Sequence, residues 1–429
     1  MSAFILLRVS TPNRELAQAI AIRLVTERLA ASVHVTGPID TRYWWQGEIH
    51  HDMEWSCEAR THQSLKEQAV EAIVALHPFE VPEIFFHELR PATSEYEAWL
   101  KQYATGEKTT MMTKETPTLS LSPVIMGTWQ VDRSYWTGVD DNGILRAVHA
   151  AFDVGVTTFD TAEEYGDGYS EQLLGKALGD RRQEAQILTK VSSDHLRHEQ
   201  VVEACHRSLA NLNTDYLDLY QIHWPGGSWG SKPTPIDETM EALLRLKEEG
   251  KIRAIGVSNF SLSQLQEVAT YGEIFSLQPP YSLFWRHIDR DIRPYCEANG
   301  IRILAYSPLA QGLLTGKFKE NHSFEEGDNR RDAILFQPSQ AARVQTALAD
   351  LRPIAERLGL SLGQLAISWV INQPLTHAIT GVRNADQIIH NGSASSVSLR
   401  HEDLALMEEI GRKVSEPLID KSIPWTWTP

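Results

Sequence analysis

The residues of this sequence best suited to chemistry stand at the ends of short apolar runs. Asp160 closes VTTFD, Lys190 closes QILTK, His223 follows LDLYQI, Ser258 and Asn259 follow AIGV, Gln278 closes IFSLQ and Tyr306 closes RILAY. Tyr165 lies five residues past Asp160. A single polar strand end means little, because every strand must leave the core somewhere. Six with compatible groups form a pattern. A free phenol, with a pKa of about 10, donates a proton poorly at neutral pH. An adjacent ammonium stabilises the phenolate and lowers that pKa, and a carboxylate keeps the ammonium in place. Tyr165, Lys190 and Asp160 suit these roles of acid, tuner and anchor, while His223 suits a second donor that orients an oxygen or relays a proton. Each also has an ordinary structural use: Asp160 as a turn cap, Lys190 in a surface ion pair, His223 as a core histidine before Trp224 and Pro225. The spacing of the whole set favours chemistry.

Those runs imply a particular scaffold. Apolar segments at 124–128, 156–160, 186–190, 217–222, 254–257, 274–278, 302–306 and 377–380 each precede an amphipathic stretch of helical length. Eight such units predict a (β/α)8 TIM barrel, whose active groups sit at the C-terminal strand ends. A doubly wound sheet is the competing α/β arrangement, but no G-x-G-x-x-G follows any of these strands. Upstream, strands at 4–10, 32–36, 41–47, 54–61 and 83–89 alternate with two helical stretches, one starting at Pro12 with Leu16, Ala19, Ile20, Leu24 and Leu29 on its apolar face and one over 63–76 with Leu65, Ala69, Ile73 and Leu76 inward, and a closing helix is expected over 94–103. This order predicts a ferredoxin-like βαββαβ domain. The Thr-rich segment 104–118 lacks aromatics and reads as a linker. The expected organisation is therefore α+β then α/β: residues 1–107, a linker at 108–117, and a barrel over 118–429.

Composition narrows the function classes. With 429 residues, 40 Lys+Arg against 56 Asp+Glu and a net charge of −16, the chain would repel a phosphate backbone, so no nucleic-acid partner is expected. Three dispersed cysteines, Cys57, Cys205 and Cys296, fit neither a disulfide scaffold nor a zinc finger. No run of about 18 apolar residues predicts a membrane span. The opening MSAFILLRVSTP reads as a first strand rather than a signal peptide, and the expected compartment is the cytoplasm.

Gly127-Thr128-Trp129, TFDTAEEYGDGYSEQLLGKAL (158–178), LTK (188–190), LDLYQIHWP (217–225), GKIRAIGVSNF (250–260) and LAYSPLAQGLLTGKF (304–318) together resemble the aldo-keto reductase family across the second half. The resemblance implies an NADP-dependent carbonyl reductase or alcohol dehydrogenase. Asp160, Tyr165, Lys190 and His223 would be its catalytic residues. It further implies that Gly127, Thr128 and Trp129 lie at the cofactor and that Ser258, Asn259 and Gln278 hold the nicotinamide amide, with Tyr306 stacked on the ring. SPLAQGLL, including Ser307, Leu309 and Gly312, would wrap the pyrophosphate. ITGVRNADQIIHN (379–391) would meet the adenosine end through Gly381, Arg383, Gln387 and Asn391. Many relatives carry a lysine where Gly381 stands, but an arginine fork at 383 suits a 2′-phosphate, so NADPH (NADP) is expected over NADH. The substrate is a small carbonyl compound. Trp129, Trp224, Phe284 and Trp285 are candidates for an aromatic pocket or for barrel packing, loops 226–235 and 319–338 for lids, and the tail 423–429 for a pocket cover or a subunit contact.

VSTPNRELAQAIAIRLVTERLAASVHV (9–35), YWWQGEI (43–49), HPFEVPEI (77–84) and EYEAWL (95–100) resemble the CutA family of divalent-cation tolerance proteins, which form trimers of ferredoxin-like subunits. A copper site proposed in some members would map to Ser10, Leu76 and His77, leaving one ligand of three, and no metal site is expected. His50-His51 reads as a solvated turn pair. The resemblance thus implies a homotrimerising platform; from the apolar runs, no membrane partner is expected. A cofactor-binding redox sensor, or a metal-tolerance protein with a passive barrel, are the alternatives.

Overall fold

The computed structural model describes residues 4–104 other than 46, 80, 92, 94, 95, 98, 99, 102 and 103, and residues 119–426 other than 133–135, 137, 138, 320, 321 and 327. Contacts divide the chain into two units, Met1–Pro117 and Thr118–Pro429. The expected linker at 108–117 lies outside the described residues.

The first unit is an antiparallel sheet of strands β1 (Phe4–Thr11), β2 (Ser32–Trp45), β3 (Glu48–His62) and β4 (Ile84–Leu89), in the order β2-β3-β1-β4. Helices Arg14–Thr26 and Lys66–Val74 complete the ferredoxin-like order. Leu7, Val9, Ala17, Ile20, Leu24, Ala59 and Ile73 form its core. Four local expectations change. Asn13, rather than Pro12, starts the first helix, its side chain accepting from the Leu16 amide at 2.8 Å. Ala17 is buried where Ala19 was expected, and Leu76 is exposed. The segments 32–36 and 41–47 join into one strand, since a bulge between Thr36 and Ile39 absorbs Gly37 and Pro38, which cannot continue the ladder. His50 and His51 lie within β3, not in a turn: His50 stacks on Tyr43, and His51 Nε2 is 3.1 Å from Asp40. Of the helix expected over 94–103, residues 96, 97, 100 and 101 are helical and the other six lie outside the described set.

The second unit is a closed parallel barrel of β5 (Val124–Gly127), β6 (Thr158–Asp160), β7 (Gln186–Val191), β8 (Leu217–Ile222), β9 (Ile252–Ser258), β10 (Ser276–Gln278), β11 (Arg302–Ala305) and β12 (Thr376–Gly381). Strands with both faces buried read as continuous apolar runs, which is why each was visible in the sequence. Ile125, Leu188, Leu219, Ala254, Leu304 and Ile379 form one core, and Leu119 and Leu121, upstream of β5, join it. The end where the strands begin is thereby filled, leaving the opposite mouth for polar groups. A larger apolar layer packs the surrounding helices on the strands. Among the described residues no single helix is long and apolar enough to cross a membrane; the bent pair Pro338–Leu358 and Leu362–Ile371 passes only when taken together, and it contributes to this layer.

Candidate active site

The polar strand ends meet at the barrel mouth. Lys190 is fully buried, and its Nζ donates to Asp160 Oδ1 at 2.8 Å, to the Thr161 carbonyl at 2.7 Å and to Tyr165 Oη at 3.3 Å. Three acceptors match the three N–H bonds of an ammonium. Since Lys190 donates to the Tyr165 oxygen, the phenolic proton is left to point elsewhere. Asp160 is shared: its other oxygen accepts from Gln278 Nε2 at 2.8 Å. His223, the residue after β8, meets Tyr165 edge-on with ring centroids 5.7 Å apart. The four expected catalytic residues are thus one connected group, with Asp160, Tyr165 and His223 on the cleft wall and Lys190 behind them.

The electrostatics differ from the sequence expectation in one respect. Burial, then the carboxylates of Asp160 and Glu164, push the Tyr165 phenol well above its ordinary value. Burial lowers Lys190, against the opposing pull of Asp160. The phenol is therefore protonated throughout the neutral range, as an acid must be before it acts. Glu164, directly before Tyr165, enters the site unforeseen. Its Oε2 lies 2.6 Å from His223 Nδ1, and its Oε1 accepts from Ser192 Oγ at 2.5 Å. Although burial would raise it, these partners bring its carboxyl down to about 2. Its neighbour Glu163 turns the other way, to the Ser192 amide, His195 and Arg207.

A cleft of about 1870 Å³ runs from this group along the mouth. Gly127, Trp129, Ser258, Asn259, Gln278, Tyr306, Ser307, Leu309, Gly312, Gly381, Arg383, Gln387 and Asn391 all line it. Thr128 does not: it is buried, with its hydroxyl 2.7 Å from Ser170 Oγ and donating to the Asp160 carbonyl. Asn259, after β9, links the ends of β8 and β11, donating to the His223 carbonyl at 3.1 Å and accepting from Tyr306 Oη at 3.0 Å. Asn259, Ser307 and Gln311 all adopt left-handed backbone conformations, with φ of 62°, 54° and 54°. Non-glycine residues rarely hold such angles, and they cluster where a binding wall must be shaped. Gly381 has a steric reason: a Cβ there would lie 2.1 Å from Gln130 Nε2, so Gln130 fills the space beside it.

Lys317, Arg330 and Trp136 on the wall escaped the sequence reading. Lys317, Arg330 and Arg383 gather at the far end with Asp328; burial and mutual repulsion lower both Lys317 and Arg383. Arg330 comes from the 319–338 insertion, whose NRRD run was the available signal. Trp136, Trp229 and Trp425 join Trp129 and Trp224 on the wall, whereas Phe284 and Trp285 belong to the apolar core. The tail and the insertion are tied together. Ala333 bridges Trp425, the Ile334 amide donates to the Pro424 carbonyl at 2.8 Å, and the Thr426 amide donates to the Asp332 carbonyl at 2.8 Å. Trp425 lies parallel to the Tyr306 ring, centroids 6.3 Å apart, so this part of the tail covers the cleft; 427–429 lie outside the described residues. Of loop 226–235, Trp229 reaches the wall.

The geometry agrees with known proteins. The sequence matches the Aldo/keto reductase family over residues 123–412 and the CutA1 divalent ion tolerance protein family over residues 5–103. The aldo-keto reductase YhdN of Bacillus subtilis is 36% identical over 66% of this chain and 88% of its own. The NADH-specific methylglyoxal reductase of Escherichia coli is 32% identical over 69% and 96%. Among solved structures, the glycerol dehydrogenase of Gluconobacter oxydans has a TM-score of 0.63 at 33% identity, covering 72% of this chain and 94% of that one. An aldo-keto reductase of Klebsiella pneumoniae in complex with NADPH has a TM-score of 0.57 at 27% identity, covering 72% and 95%. Coverage of this order, on a closed parallel barrel with its polar groups gathered at one mouth, makes the chain a member of the aldo/keto reductase family that bears a CutA1 domain at its amino-terminal end.

Proposed function

We propose that the barrel reduces an aldehyde or ketone to an alcohol at the expense of NADPH, with Tyr165 as the general acid. The observation that carries this reading is the triple donation of Lys190. It fixes the ammonium to Asp160 and Thr161 and turns its remaining proton onto the Tyr165 oxygen. A carbonyl oxygen placed between Tyr165 and His223 would gain negative charge as its carbon is reduced. The phenol would then transfer its proton to that strongly basic oxygen, and the tyrosinate left behind would face the Lys190 ammonium. That ammonium offsets at the moment of transfer what burial costs beforehand. A reduced nicotinamide, when bound, supplies the hydride, because no side chain can.

The residues present fit such a cofactor. Gln130 Oε1, Gln311 Nε2 and Asn329 Oδ1 are buried on the cleft wall without a partner in the protein. Ser258, Asn259 and Gln278 would hold the amide end, Gly127 and Trp129 would line the nicotinamide region, and Tyr306 would pack on the ring. Ser307, Leu309 and Gly312 would follow the pyrophosphate, while Gln387 and Asn391 would meet the adenosine. Gln387 already braces the Arg383 amide at 2.8 Å. Lys317, Arg330 and Arg383, with Asp328 paired to Arg330, suit a dianionic 2′-phosphate and favour NADPH. The Escherichia coli relative is named as NADH-specific, so the affinities of this chain for NADPH and NADH are to be measured side by side.

The amino-terminal unit would serve assembly. Edge strands β2 and β4 end its sheet, and Trp44, Ile49, Met53 and Phe86 are exposed. Pairing those edges in a homotrimer would cover them. Sizing the full chain against residues 118–429 tests this, and equal oligomeric states would defeat it. NADPH absorbance followed with a panel that includes methylglyoxal and glyceraldehyde tests the reductase. Saturable NADPH binding with no turnover on any carbonyl would favour a cofactor-binding regulatory subunit instead.

A further inference from the structure

We propose that Ser192 is a positioning residue of the reductase site: it fastens the loop that carries Tyr165 to the strand that carries Lys190, and so sets the distance over which Lys190 donates to the phenol. The inference rests on the carbonyl-reduction reading above and adds to it the contact that keeps acid and ammonium in register. Ser192 is the residue after β7, two past Lys190, and it is buried. The two residues directly before Tyr165 both end on it. The Ser192 amide donates to Glu163 Oε1 at 2.7 Å, and Ser192 Oγ donates to Glu164 Oε1 at 2.5 Å. Consecutive carboxylates can share one residue here because a serine offers one donor from its backbone and another from its side chain.

The loop has few other ties to β7. The β6–β7 ladder ends with Asp160 opposite Leu188. Just beyond it, the Thr161 amide donates to the Leu188 carbonyl at 2.8 Å, and the Thr161 carbonyl accepts from Lys190 Nζ at 2.7 Å. Further out the Glu163 amide reaches the Lys190 carbonyl only at 3.4 Å. After Tyr165 the chain turns through three successive left-handed residues, Gly166, Asp167 and Gly168, with φ of 64°, 53° and 82°. Asp167 holds an angle that non-glycine residues rarely adopt, so this turn does not lock itself by backbone preference alone. The Tyr165 amide and carbonyl bond to Ala162 and Ser170, within the same loop and its helix. Ser192 supplies the cross-tie. The margin it protects is small. Lys190 Nζ and Tyr165 Oη are 3.3 Å apart, at the long end of the hydrogen-bond range, and a loop shift of about half an ångström would end that bond.

The fastening is braced from outside the cleft. Glu163 Oε1 also lies 2.9 Å from His195 Nδ1, and its Oε2 accepts from Arg207 at 3.1 Å. Arg207 belongs to helix His198–Leu212, which follows β7. The Glu163 side chain is 10% exposed and that of Arg207 is 50% exposed, so a shielded carboxylate is matched by a cation reaching in from the surface. Ser192 Oγ further accepts from the Asp194 amide at 3.3 Å, which caps the short turn bearing His195. Ser192 thus joins three pieces: the loop after β6, the end of β7 and the turn that leads into the next helix.

The test uses the full-length chain. Ser192→Ala removes the hydroxyl and keeps the amide bond, Ser192→Thr keeps a hydroxyl, and Arg207→Gln slackens the brace at a half-exposed position. In Ser192→Ala we expect kcat to fall by about tenfold to a hundredfold, with the KM for NADPH within about twofold of the parent. Ser192→Thr should recover most of that loss, and Arg207→Gln should lower kcat by about twofold to fivefold. A second readout needs no turnover. In protein labelled at tyrosine ¹³Cζ, Tyr165→Phe identifies the Tyr165 signal among the 12 tyrosines by its loss. That signal reports hydrogen bonding at Oη, and it should move in Ser192→Ala and return in Ser192→Thr. A signal that stays in place in Ser192→Ala, a loss of kcat that Ser192→Thr does not relieve, or a loss matched by a rise in the KM for NADPH would overturn the proposal. Absence of turnover in the parent would instead count against the reductase reading, and the tyrosine signal would still decide the fastening.

Discussion

The two units of this chain each match a family and differ in how their polar groups are placed. At the barrel mouth every strand-end group meets another: Lys190 reaches Asp160, Thr161 and Tyr165, and Asp160 reaches Gln278. In the sheet unit the candidate metal positions have become ordinary structure. His77 Nε2 donates to the Ser10 carbonyl at 2.9 Å and Nδ1 accepts from the Phe79 amide at 3.2 Å, so neither nitrogen offers a lone pair to a metal. Ser10 Oγ donates to Glu83 at 2.5 Å, and Leu76 is a partly exposed hydrocarbon. Among the described residues no cluster of three or more His, Cys, Asp or Glu side chains could hold a metal ion. Fold membership therefore transmits a scaffold, and the chemistry has to be read residue by residue.

The comparison breaks first at Lys190. Lys190→Met would leave Asp160 buried without its ammonium, and we expect kcat to fall by about 10²–10⁴ and stability by about 3–5 kcal/mol. Steady-state kinetics and a urea titration read both; retention of more than a tenth of the activity would remove Lys190 from the account. Next in size is Arg383→Ala, expected to raise the KM for NADPH by about tenfold to a hundredfold while that for NADH changes little. Equal effects on the two cofactors would place the 2′-phosphate elsewhere.

Stability against pH should separate the units as well. Burial pushes the His287 imidazole of the barrel down to about 4 from 6.5. The unfolded chain then binds more protons between those values, so the barrel loses stability as pH falls from 6.5 towards 4, by about 3 kcal/mol at most. His287→Gln should flatten this slope in denaturant titrations, and an unchanged slope would assign it to other groups. The smallest effect is expected in the sheet unit. His77→Ala should cost about 1–3 kcal/mol of that unit's stability by orphaning the Ser10 carbonyl and Phe79 amide. It should leave Cu(I) binding unchanged in a chelator competition; a weakened affinity would restore a metal role.

Much of the barrel was legible because its strands are buried on both faces and announce themselves as apolar runs. Asp160, Lys190 and Gln278 could be placed because a strand end fixes which side of the barrel a residue reaches. Other features depend on contacts that have no period in the sequence. Glu163 and Glu164 are identical neighbours, and only the turn after β6 sends one to Arg207 and the other to His223. Trp425 reaches Tyr306 from the far end of the chain through backbone pairing with the insertion. The NRRD run marks a cation at 330 but not its place beside Arg383, which the fold of the insertion sets. In the sheet unit, Gly37 and Pro38 carried the ordinary signature of a break, yet a bulge keeps β2 continuous across them.

The central claim is that a phenol hydrogen-bonded by Lys190 protonates a carbonyl oxygen. Its most direct test is carbonyl-dependent NADPH oxidation by the full-length chain and by Tyr165→Phe, with NADPH affinity measured alongside by fluorescence. The account predicts turnover by the parent, a loss of about 10²–10⁴ in kcat for the variant, and NADPH binding within about twofold. Equal turnover by the two proteins would contradict it.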